Sequence, residues 1–210
     1  MALLGLSEEV LGVIAPMLVF WAYSGMYEAM GSMDKNRLFP REEEDKKNLI
    51  SRCQTIKGVL FNQACQLVFS LGLLSVIGKG DANIPQPPLY VQAVQLLVAM
   101  LVQDVWQYFG HRLFHTNRFL YKHVHAMHHH LVVPYSFGAQ YQHPLEALLL
   151  DNVGAVVAYT VAGMTPRTGM FFFSLTLIKS VDDHSGLWLP GHPFHKIFSN
   201  NSAFHTVHHQ

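Results

Sequence analysis

Runs of apolar residues long enough to cross a bilayer constrain this chain more than any other feature. VLGVIAPMLVFWAYSG occupies residues 10–25, VLFNQACQLVFSLGLLSVI residues 59–77, and a third run extends from Leu89 to Val105. LEALLLDNVGAVVAYTVAGM covers residues 145–164, and the shorter MFFFSLTLI covers 170–178. A spanning helix needs about 20 mainly apolar residues. The first four runs approach that length, although Asn62, Gln66 and Asp151 interrupt them. Inside lipid every backbone N–H and C=O must find a partner within the protein, so a spanning run of this kind is predicted to be helical. Pro16 would kink the first helix without breaking it. The fifth run is expected to pair with the fourth as a hairpin turning at residues 164–167. No signal-peptide pattern opens the chain, so the first run reads as a retained anchor. The fold class is all-α, a polytopic integral-membrane helical bundle. A soluble bundle with a very apolar core is the competing reading.

Charge supports the membrane reading and suggests a topology. Only 13% of the 210 residues are charged, against about 25% in a typical soluble domain. The 14 basic and 14 acidic side chains balance, so bulk electrostatics suggest no nucleic-acid partner. Lys35, Arg37, Arg41, Lys46, Lys47, Arg52 and Lys57 crowd the loop at 34–57. By the positive-inside rule that loop is cytoplasmic, and its acidic EEED run reads as solvated. KGDANIPQPP at 79–88 is then a short turn on the far side. The two Cys, Cys53 and Cys65, lack metal-site spacing. Two units are expected: residues 1–58 as membrane anchor and basic loop, and 59–210 as the catalytic domain.

All fourteen histidines lie between His111 and His209. Threading the predicted spans brings every cluster to the cytoplasmic surface. On a helix, residues three and four apart share a face. His111 and His115 form an H-x-x-x-H box. His125, His128 and His129 form H-x-x-H-H, and His205, His208 and His209 repeat it. One such pair arises easily by chance; three clusters, two with identical spacing, point to metal. Eight imidazoles exceed the four ligands of one structural zinc and suit two ions. Imidazole accepts zinc, copper, iron or nickel, so spacing alone does not choose among them. A ligating imidazole usually gives its other ring N–H to a carboxylate or carbonyl, which makes Asp104, Glu146, Asp182 and Asp183 candidates for that role. His143 is read as a distal ligand, an outer hydrogen-bond partner or a structural residue. His123 falls off the face of its box, and His130, His192 and His195 read as surface residues.

The three boxes among membrane spans resemble the fatty acid hydroxylase superfamily, also called the sterol desaturase family. FLYKHVHAMHH, VPYSFGAQYQHPLEALLLD, GMTPRTGMFFFS and SVDDHSGLWLPG are similar to plant sphingoid-base hydroxylases. The resemblance implies a cytosol-facing di-iron site, O2 as co-substrate, and hydroxylation at carbon 4 of a sphingoid base or ceramide at the endoplasmic reticulum. It implies electrons from cytochrome b5 and its NADH reductase, and association with ceramide-synthesis enzymes. It also adds His184, in the Asp-Asp-His-Ser-Gly stretch, as a ninth ligand. Thr206 stands where relatives often carry Asp. Relatives also continue a few dozen residues past the position of His209, which gives the expectation of a truncated form. Sterol methyl oxidation, sterol desaturation, aldehyde deformylation and an inactive regulatory paralogue stay open as alternatives. A histidine-relay metal transporter would place ionisable groups within the spans, whereas these clusters follow them.

Overall fold

A computed structural model describes residues 6–32, 35–77 and 85–210. Most of the expected 79–88 turn lies outside the described residues. Long helices organise the rest: α1 (Glu8–Gly31), α3 (Arg52–Ile77), α4 (Leu89–Thr116) and α8 (Pro166–Asp183), with the short α2 (Arg41–Lys47) between the first two and the short α5 (Arg118–His123) after α4. A further rod at Pro144–Val161 joins α6 (Pro144–Glu146), a π-helical segment (Ala147–Val153) and α7 (Gly154–Val161). Among the described residues no strand forms. One backbone pairing carries Leu38 N–H to the Gly186 carbonyl and Trp188 N–H to the Asn36 carbonyl, at 2.9 and 2.7 Å.

Among the described residues four helices are long and apolar enough to cross a membrane: α1, α3 over Arg52–Val76, α4 and the Pro144–Val161 rod. This is a multi-pass membrane protein. Its surface is inverted relative to a soluble domain. Leu60, Phe61, Val68, Val76, Leu89, Leu97, Leu101 and Phe109 are all more than half exposed along the long helices. So broad an apolar surface is untenable in water and argues against the soluble bundle.

The helices outrun the apolar segments in an informative way. α4 does not stop at Val105 but continues to Thr116. At 1.5 Å per residue its 28 residues extend about 42 Å, longer than a hydrocarbon core of about 30 Å. The excess carries His111 and His115 on the last two turns. α3 likewise begins at Arg52, inside what the charge pattern reads as loop.

The fourth and fifth runs are joined by a tight turn, with Gly163 at φ 61° and Thr165 capping α8 through its hydroxyl, but they meet only beside it, where Tyr159 reaches Phe173. Away from the turn the expected hairpin pairing gives way to α7 on α4 and α8 on α1. α8 lies parallel to α1: Arg167 pairs with Glu8 at one end and Tyr27 with Asp182 at the other. The rod packs on α4, where Gly154 is needed because an added Cβ would fall 2.5 Å from the Trp106 ring.

The basic loop is folded rather than free. Glu44, from the acidic run read as solvated, is 1% exposed. It accepts from Arg37 at 2.7 Å and from Arg52 Nε at 2.7 Å, while Arg52 reaches Glu28 at 2.5 Å. Two cations pair with this buried carboxylate, so its charge is not left uncompensated. Asn48 then clasps Val133, donating to its carbonyl (3.0 Å) and accepting from its N–H (2.7 Å), and Leu49 N–H donates to the His130 carbonyl. The loop and the histidine boxes therefore share one end of the bundle.

Candidate metal centre

The three boxes and His184 converge on two groups of ring nitrogens. His111, His115, His125 and His208 form one, and His128, His184, His205 and His209 the other. In the first, Nε2–Nε2 separations are 2.9 Å (His111–His208), 3.2 Å (His115–His208) and 2.9 Å (His115–His125). His129 joins its edge, 3.1 Å from His125. In the second they are 3.2 Å (His128–His184), 2.9 Å (His184–His205) and 3.1 Å (His205–His209).

The spacing of the boxes acquires a meaning here that a helical wheel misses. Residues 125–130 form a 3-10 helix rather than an α-helix, so the expectation of one shared α-helical face is corrected. Each i,i+4 pair shares a group: His111 with His115, His125 with His129, His205 with His209. The i+3 residue of each H-x-x-H-H box crosses to the other group, His128 to the second and His208 to the first. Each repeated box thus contributes to both sites.

Ring tautomers show that these nitrogens fit a metal. His128 Nδ1 lies 2.9 Å from the Tyr141 carbonyl, and His184 Nδ1 2.7 Å from the Ser180 carbonyl. A carbonyl only accepts, so both Nδ1 atoms carry the proton and both Nε2 atoms present lone pairs. Those lone pairs face each other at 3.2 Å, a repulsive arrangement unless a cation lies between them. Metal–imidazole bonds of about 2.0–2.1 Å place neighbouring ligand nitrogens about 2.8–3.4 Å apart, the range found here. Burial keeps the imidazoles neutral, as ligands must be. It pushes His125 down to about 4, His184 to about 3 and His129 to about 2, and drives His205 and His209 well below the ordinary value.

The candidate outer residues divide. Glu146, 2% exposed, sets Oε1 2.6 Å from His125 Nδ1. Asp104 is exposed on α4 and has no hydrogen-bonding partner among the described residues. His143 caps α6 by accepting from Leu145 N–H at 3.2 Å. Asp183 pairs with Lys179 at 2.5 Å, and Lys179 also donates to the Asn200 carbonyl at 2.8 Å. Asp182 faces Tyr27, His192 and His195. His195 is buried, contrary to its reading as a surface residue. Backbone acceptors at Tyr141 and Ser180 escaped sequence reasoning because a carbonyl carries no residue-type signal.

The sequence model of the fatty acid hydroxylase family matches residues 96–210, more than half of the chain and all nine converging histidines. The chain belongs to the fatty acid hydroxylase family. Sphinganine C4-monooxygenase 2 of Arabidopsis thaliana is 54% identical, covering 98% of this chain and 80% of the relative. A very-long-chain aldehyde decarbonylase of Oryza sativa subsp. indica is 48% identical over 97% of this chain and 80% of the relative. The sphingolipid C4-hydroxylase sur2 of Schizosaccharomyces pombe is 35% identical over 94% and 79%. No solved structure matches the chain at significance.

Proposed function

We propose that this family member is a membrane monooxygenase that hydroxylates a long-chain sphingoid base at carbon 4, converting sphinganine to phytosphingosine. The observation that carries the reading is the pair of imidazole groups at one end of the membrane helices, in a chain whose relatives include sphinganine and sphingolipid C4-hydroxylases. Two iron ions, held by His111, His115, His125, His129 and His208 and by His128, His184, His205 and His209, would supply the O2 reduction and C–H oxidation that no side chain can perform. The protein's part is to present nine neutral imidazoles already aimed. Glu146 and the carbonyls of Tyr141 and Ser180 hold three of the rings, His125, His128 and His184, by their Nδ1 sides, which limits the reorganisation that accompanies loading.

The basic loop at the histidine end supports a cytosolic orientation of the site by the positive-inside rule, in a reading that takes the membrane to be that of the endoplasmic reticulum. Cytochrome b5 and its NADH reductase serve as the electron source there. The decarbonylase name of the rice relative supports one second reading, loss of the carbonyl carbon from a long-chain aldehyde to leave an alkane. Expression in a yeast strain lacking its own sphingoid-base hydroxylase tests both by lipid mass spectrometry. The proposal expects trihydroxy base from the chain and none from its His128→Ala variant. Alkane product without trihydroxy base would transfer the assignment to the second reading, and neither product would reject both.

A further inference from the structure

A third convergence of ligand atoms lies outside the nine-histidine cluster. Asp182, on the last turn of α8, is fully buried. Its Oδ1 accepts from the Tyr27 hydroxyl and lies 3.5 Å from His192 Nδ1, while Oδ2 lies 3.4 Å from His195 Nε2. The His195 side chain is only 1% exposed. Among the described residues neither of its ring nitrogens has a hydrogen-bonding partner, and Asp182 Oδ2 and His192 Nδ1 have none either. Native interiors rarely leave buried polar atoms unpaired, let alone three around one point, Asp182 Oδ2, His192 Nδ1 and His195 Nε2.

Separations of 3.4 and 3.5 Å are too long for hydrogen bonds, which run about 2.7–3.2 Å. They are the right length for donors around one ion. Bonds of about 2.0–2.2 Å at near-tetrahedral angles set neighbouring ligand atoms about 3.3–3.6 Å apart. All three residues offer ligand atoms within 4.8 Å of one another. Two imidazoles and a carboxylate suit a divalent first-row transition ion, zinc above all, and leave a fourth position for water.

We propose that Asp182, His192 and His195 form a separate metal site, occupied by one divalent transition ion of the zinc class. Its position gives it a structural task. His192 and His195 flank the start of α9 (Pro193–Ile197), in the segment that joins His184 to the third box on α10 (Ser202–His208). Lys179 and the Ser185–Ser202 hydroxyl pair fasten the far end of that segment. The ion fastens its middle to α8 and, through Tyr27, to α1. Trp188 stacks on His195 at 4.9 Å and shields the site from one side.

The test counts zinc per chain by elemental mass spectrometry. It uses the full chain in detergent, loaded with Zn2+ and freed of loose ions by gel filtration. His192→Gln, His195→Gln and the double variant should each lose one ion relative to the parent, the double losing the same one. Adding His128→Ala to His192→Gln should cost a further loss. The difference does not depend on how many ions the nine-histidine cluster holds, nor on turnover. His192 lies on the partly exposed rim, so its variant is the first choice for monodisperse protein. An unchanged count in monodisperse His192→Gln would overturn the site and leave an ordinary histidine–aspartate cluster. Two ions lost in the double would overturn it equally. Without any variant, a zinc-edge anomalous map of the parent must show a peak among the three side chains, and its absence rejects the proposal.

Discussion

Glu146 shows how much depends on a single atom at the residue scale. Its Oε1 takes the Nδ1 side of His125, whose outer partner is thus a carboxylate where His128 and His184 have carbonyls. Glu146→Gln keeps the shape and removes the charge, and outer partners of this kind are worth about 10- to 100-fold in metal affinity or activity. We expect a loss in that range, read by chelator competition, with the helical far-UV signal unchanged. The crossing pattern of the boxes gives a second expectation. His128→Ala and His125→Ala should strip ions from different groups, so metal counts of the two single variants and of their double should be additive. Additive loss would support two sites, whereas loss of every ion in either single variant would show one indivisible cluster.

Among elements, the segment following His184 is held by devices that tolerate little change. Gly186 sits at φ +65°, and a Cβ there would stand 2.7 Å from the Pro134 carbonyl oxygen. That oxygen belongs to backbone and cannot swing aside. The left-handed conformation alone costs a non-glycine residue about 1–2 kcal/mol, so Gly186→Ala should destabilise the fold by at least that much, seen as a lower thermal midpoint in detergent. Asn48 is the matching clasp on the other strand of chain, with two hydrogen bonds to Val133. Asn48→Ala strands both backbone groups and should cost about 1–3 kcal/mol; an unshifted midpoint would mean the loop is not fastened there. The π-helical stretch at 147–153 carries Asp151, which accepts from Gln107 and Gln142, so the widened turn coincides with a polar junction to α4.

For the whole molecule, orientation is the property to measure. Cys53 is exposed at the start of α3, at the end that holds the basic loop and the metal centre. A membrane-impermeant maleimide should therefore label Cys53 in sealed microsomes with the cytosolic face outward. Protection of Cys53 in sealed vesicles, relieved by detergent, would invert the topology. Cys65, halfway along the same helix and only partly exposed, serves as the reference for a site within the span.

Much of this architecture was legible in the chain itself. Apolar length and the demand that backbone groups be paired in lipid determined the spanning helices. The i,i+4 and i,i+3 intervals within the boxes determined which imidazoles lie close on their own segment. Those are short-range properties, set by covalent geometry and solvent. Which imidazole answers which ion was decided by tertiary packing, because His128 and His208 cross between groups only once a 3-10 turn and the last helix meet α4 and α8. The same holds for the burial of Glu44, drawn in by Arg37 and Arg52 from elsewhere in the chain. It holds also for His195, which composition assigns to the surface and α8 encloses beside Asp182. Burial and ligand pairing are long-range quantities, and no local interval encodes them.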